Sequence, residues 1–163
     1  MSILSVCQWI QDTNIGTSIR ESIWVFPIIE GTHVLALSIS VGLLLVSDLR
    51  LMGVIMKRRP ASEVYEQIKP WMFTGFAIMT ITGIFLFWCQ AVKAYNSIFF
   101  KTKVVLLIVA AINAIYFERG IYRKVSEWDN ALVPPMQARV AGWASLIRWA
   151  AIITCGRTMA YTF

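Results

Sequence analysis

The stretch Pro27–Gly53 constrains this chain more than any other. About 20 apolar residues suffice to cross a bilayer as a helix, and this run is long enough to do so. It nevertheless carries Glu30, the chain's single histidine His33, and Asp48. An ionised side chain at the bilayer centre costs about 2.5–3.5 kcal/mol even on the lenient insertion scale. Each residue of an ideal helix advances by about 100°, which puts Glu30 and His33 about 60° apart and brings Ser40, Ser47 and Asp48 back near the His33 face. One side of this helix is therefore a polar stripe. Its surroundings are expected to be a bundle interior or a neighbouring subunit rather than acyl chains.

Composition extends the argument to the whole chain. Of the 163 residues 58% are hydrophobic and 15% charged, against roughly half and a quarter in soluble domains. That balance suits one domain of several membrane spans, with no separate soluble module. The net charge is +6, but Lys and Arg lie between the apolar runs, as loop charge that orients a membrane protein, and no nucleic-acid partner is expected. Cys7, Cys89 and Cys155 are scattered without metal-ligand spacing, so packing is the expected role of all three.

Taken in order, residues 1–17 lack a basic start and a small-residue cleavage site, so no cleaved signal peptide is expected. Ile3, Leu4, Cys7 and Ile10 at helical spacing, with Trp9 beside them, predict a short interfacial helix that Gly16 breaks. Ser18 three residues before Glu21 has the spacing of a capping box and predicts a new helix start. The spans are expected over residues 23–47, 71–92, 98–117 and 136–161. Pro27 should kink the first near its end, Ser62 should cap a short surface helix bearing Val64 and Ile68, and Pro70 should open the second span. Asn96 and Ser97 make the next turn, and Pro134-Pro135 precede the last span. The expected fold is all-α: a four-helix up-down transmembrane bundle with a short interfacial N-terminal helix. Small residues at Gly31, Gly42, Gly75, Gly83, Ala110, Ala111 and Ala114 offer surfaces for close helix packing. The first and third loops with Arg139 hold nine Lys and Arg, the opposite side five. Positive charge stays on the cytoplasmic side, which predicts that both termini are outside.

Cations are the natural partners of the polar stripe. Arg148 lies at a depth comparable with His33, Arg157 could meet Glu30, and Lys103 is a third candidate. Asp48 is expected to pair with Arg50 or with Arg139. Three readings follow. In the first, Glu30, His33 and the arginines are a structural ion-pair network, which fixes register more than it stabilises. In the second, His33 is an axial ligand to haem b, oriented by Glu30 or a backbone oxygen, with Arg148, Arg157 or Lys103 meeting the propionates. Met159 or Met79 would then be the sixth ligand, or a twin subunit would supply it. Copper fits less well, because one histidine with scattered Met and Cys shows no ligand spacing. In the third, Glu30 and His33 pass protons, or the excess of Arg and Lys binds an anionic or quinone-like ligand. The Glu-x-x-His spacing occurs once, whereas a di-iron bundle needs it twice. No nucleophile elbow, phosphate loop or zinc signature is present, and Asn113 and Thr82 read as interhelical hydrogen-bond makers.

The segments FPIIEGTHVLAL, VSDLRLMG, PWMFTGFAIMTITG, FFKTKVVLL, YRKVSEWD, RVAGWASL and GRTMAY together carry a resemblance. The chain resembles a bacterial family of small four-span membrane proteins, a domain of unknown function, over nearly its whole length. The resemblance implies the fold and a bacterial inner-membrane location, where termini outside are periplasmic, and points at Glu30, His33, Asp48, Arg50, Lys103, Trp128, Asp129 and Arg157. It brings no activity. A looser likeness to copper-resistance and cytochrome-b-type four-helix membrane proteins is analogy. The reading that results is a small membrane subunit, as a homo-oligomer or within a complex, whose cofactor would be haem b at His33; the alternative is a structural or accessory subunit, or a small proton or anion transport unit.

Overall fold

A helix satisfies its backbone polar groups within its own segment, and the regular structure of the described residues is all helical. The computed structural model describes residues 2–161. Seven α-helices follow in order: α1 Ile3–Gln11, α2 Asn14–Glu21, α3 Val25–Leu51, α4 Ala61–Cys89, α5 Ala91–Asn96, α6 Ile98–Tyr116 and α7 Met136–Tyr161. A π-helical turn, Phe117–Ile121, and a 3-10 segment, Tyr122–Glu127, continue α6. Three helices, α3, α4 and α6 with its continuation, are long and apolar enough to cross a membrane. The helix α7 is as long but carries Arg139, Arg148 and Arg157.

The long helices pack as two pairs, α3 with α4 and α6 with α7, joined where α3 meets α7. Side chains complete the cross-section, with Phe76 of α4 stacked on Trp149 of α7 and Phe87 of α4 on Phe100 of α6. The α3–α4 seam closes at Gly75, where a Cβ would strike the Ser40 hydroxyl. Ser40 is 0% exposed and returns its proton to the Ala36 carbonyl at 2.7 Å, so the seam can be both polar and dry. Gly142 plays the same part between α7 and α3, where an added Cβ would lie 2.9 Å from the Asp48 carbonyl.

At the end of the bundle where α4 begins, Leu51, Tyr65, Met72, Phe117, Ile121, Ala138 and Ala141 form the apolar cluster. Polar bonds close over it. The Tyr65 hydroxyl donates to Glu118 at 2.8 Å, Lys69 reaches the same carboxylate at 2.7 Å, and the Tyr122 hydroxyl donates to Glu66 at 2.7 Å. At the other end α1 and α2 pack against the α4–α5 turn, tied by the Trp88 indole donating to Thr13 at 2.8 Å.

Several local expectations are corrected. The α1–α2 break falls at Asp12, with Thr13 capping α2 through the Gly16 amide, so Gly16 lies inside α2 and Ser18 starts nothing. Gly16 is required for space: a Cβ there would come within 2.6 Å of the Gln11 carbonyl. Pro27 occupies the first turn of α3, where its missing N–H has no helical partner to lose. The segment after Ser62 is no separate helix but the opening of α4, which runs straight through Pro70. Its start is set by Asp129, whose carboxylate accepts the Ser62 amide at 2.7 Å and the Ser62 hydroxyl at 2.5 Å. Gly31 and Gly42 have nothing within 4 Å of a would-be Cβ and are not packing glycines.

Candidate functional site

The polar face of α3 turns inward as far as His33. Ser40, Ser47, Asp48 and Arg50 are buried and His33 is half-buried, whereas Glu30 is exposed. Among the described residues Glu30 forms no ion pair. The pairing of Glu30 with Arg157 is therefore not made. Arg157 instead donates to the Tyr161 hydroxyl at 2.8 Å, one turn along its own helix, and lies over that ring.

His33 Nδ1 stands 2.9 Å from Thr82 Oγ1 on α4. The Thr82 hydroxyl has one proton, and that proton is directed to the Ile78 carbonyl at 2.7 Å. With that proton given to Ile78, Thr82 can accept from Nδ1–H, the tautomer that would leave a lone pair on Nε2. The Met79 carbonyl lies beside the same imidazole. Gly83 makes the approach feasible, since a Cβ there would stand 3.2 Å from His33 Cε1.

The other walls come from α6 and α7. Lys103 faces His33 closely enough for its charge to be felt there, and it also faces Cys155. Its aliphatic stem runs across Gly156, where an added Cβ would lie 3.4 Å from Nζ. All four long helices thus contribute to one locus: His33 from α3, Thr82 and Gly83 from α4, Lys103 from α6, and Gly156 from α7. Lys103 forms no ion pair among the described residues.

The remaining predicted residues belong to the other half of the bundle. Asp48 meets Ser145 and Arg148 of α7 rather than Arg50 or Arg139. Asp48 and Arg148 face each other without closing an ion pair, and Arg148 keeps Nε and Nη2 buried with no partner. Arg50 turns away from Asp48 because two backbone carbonyls compete for it. It donates to Arg59 through Nε at 3.1 Å and Nη2 at 2.8 Å, and to Asp129 at 3.4 Å. Of the five residues expected around a cofactor, His33 and Lys103 share a locus, while Glu30 is exposed, Arg148 faces Asp48 and Arg157 bonds Tyr161. Among the described residues no three of His, Cys, Asp and Glu converge as a metal site.

A family model described as a family of unknown function (DUF6644) matches residues 13–162. The chain belongs to that family. Membership covers every residue of the His33 locus and both halves of the bundle, and it assigns a role to none of them. No curated protein and no solved structure matches the chain.

Proposed function

We propose that the protein is a small integral membrane subunit that binds haem b through His33. The observation that supports this reading is the 2.9 Å contact of His33 Nδ1 with Thr82, whose own proton is directed to Ile78: in the tautomer with Nδ1–H donated to Thr82, Nε2 keeps its lone pair. A metal-bound histidine characteristically hands its other ring proton to such an acceptor. A bare ion would need several protein ligands, which do not converge here. A macrocycle supplies its own equatorial ligands and asks the protein for as little as one axial nitrogen. When bound, the group would supply one-electron transfer. The chain's contributions would be orientation by Thr82, the close approach of His33 to α4 that Gly83 permits, and the Lys103 cation, lying over Gly156, for a propionate. Protein purified from haem-replete cells should contain equimolar haem by the pyridine haemochromogen assay. Colourless protein that takes up no added haem would contradict the reading.

The membrane setting is read further as four crossings of a bacterial inner membrane, with α7 the fourth and both termini periplasmic, in a homo-oligomer or a larger complex. Support comes from the length of α7, from its packing on α6 and α3, and from Arg148 turning toward Asp48. The second reading, an accessory subunit or a small proton or anion transport unit, draws on the buried, unpartnered nitrogens of Arg148 beside Asp48. Proton flux into proteoliposomes that is unchanged by Asp48→Asn and by Glu30→Gln would count against transport.

A further inference from the structure

Between α6 and the first turns of α7 the flank of the bundle is grooved. The groove has a volume of about 560 Å³ and opens outward past the exposed side chains of Tyr116, Met136 and Val140. Ala141 and Ala144 line it with methyl groups, and the Asn113 and Gln137 side-chain amides and the Tyr116 hydroxyl line it with polar atoms. None of those three polar side chains bonds another described residue. Polar groups turned toward acyl chains without partners are costly, so the groove suits an occupant that brings oxygen atoms as well as apolar length.

Size narrows the choice. From Met136 to Ala144 the groove follows α7 for about 12 Å, which makes its mean cross-section about 47 Å². A helix with its side chains is about 10–12 Å across, or about 80–110 Å². It is too wide to lie in the groove, whereas an acyl chain is a single file of methylenes. Charge narrows the choice again. Arg119, Arg123 and Lys124 begin three residues past Tyr116, all exposed, and none closes an ion pair among the described residues. Of the acidic groups between residues 118 and 129, Glu118 is held by Tyr65 and Lys69 and Asp129 by Ser62, which leaves Glu127 against three cations. Basic clefts between membrane helices on the cytoplasmic side hold anionic headgroups, and the topology proposed above puts this end of the bundle there.

We propose that the α6–α7 groove binds one anionic glycerophospholipid. An acyl chain lies over Ala141 and Ala144, the ester oxygens accept from Asn113, Tyr116 and Gln137, and the phosphate meets Arg119 and Arg123. The lipid has a structural task. No residue of α6 is buried within the chain, and the lipid seals the seam between α6 and α7. This site is independent of any group at His33.

Native mass spectrometry of the purified full chain, titrated with dioleoyl phosphatidylglycerol or dioleoyl phosphatidylcholine, tests the proposal. One phosphatidylglycerol per chain should be retained in preference to phosphatidylcholine of the same acyl chains. A cation near an anionic headgroup is worth about fivefold in affinity, so Arg119→Gln with Arg123→Gln should weaken retention by about 30-fold. Lys57→Gln with Arg58→Gln, which removes two exposed cations of the α3–α4 loop, should leave retention unchanged. Ala144→Leu, which fills the groove, should weaken the retention of both lipids. Equal retention of the two lipids by the wild type, or equal losses in the two charge variants, would overturn the proposal. So would a lipid-free dimer, which would give the groove to a second copy of the chain.

Discussion

Thr82 has a single hydroxyl proton, and with the Ile78 carbonyl as its acceptor the hydroxyl oxygen can accept Nδ1–H of His33, the tautomer on which the haem reading rests. Thr82→Val should leave Nδ1–H without its acceptor and weaken haem retention by about 10–100-fold, the usual effect of losing an outer-shell partner. Thr82→Ser should retain it, and transfer of haem to apomyoglobin measures both. The capping role of Asp129 is separable from this site. Asp129→Ala strips the Ser62 amide of its acceptor and should lower stability by about 0.5–2 kcal/mol, read from thermal unfolding in detergent. At this scale the sequence was legible in part. Spacing correctly turned Ser40, Ser47 and Asp48 inward with His33. Matching charges by depth alone failed for Glu30 and Arg157, because depth says nothing of azimuth and Tyr161 lies one helical turn from Arg157. Arg50 escaped for another reason: its acceptors are carbonyls of Arg59 and Asp129, and backbone acceptors leave no mark in a sequence.

Among the elements, glycine and proline carried meanings that only packing decides. Gly75 and Gly42 look alike in the sequence, yet one touches Ser40 and the other touches nothing. Gly75→Ala should therefore force α3 and α4 apart and cost about 1–3 kcal/mol, as overpacking does. Gly42→Ala should be neutral or stabilising by up to about 1 kcal/mol, because alanine is the better helix former. Reversible unfolding of the two variants in mixed micelles separates these outcomes, and equal losses would contradict the packing described for Gly75. Pro70 suggested a helix start because proline is at home in a first turn, but Asp129 caps Ser62 nine residues after Gly53 and the helix begins there instead. Gly53 itself, at φ 73°, makes the turn that frees the chain from α3, against Pro134. A cap from a residue so distant in the chain cannot be found by local pattern.

For the molecule as a whole, three apolar helices were plain from hydropathy, and the fourth long helix from its bounds at Met136 and Tyr161. What α7 does in the membrane depends on its arginines, and Arg148 is turned toward Asp48 in the bundle. Four crossings put both termini on one side of the membrane, and three put them on opposite sides. Reporter fusions at the two ends should both report the periplasm. The convergence of all four long helices on His33 was less visible, since Thr82, Gly83 and Gly156 carry no chemistry of their own that distinguishes them from packing residues. The absorption spectrum of the purified protein tests that convergence most directly. The wild type should show a Soret band that sharpens on reduction, and His33→Ala, folded and equally abundant in the membrane, should lack it. An identical spectrum in the two proteins, with or without colour, would contradict a haem held by His33.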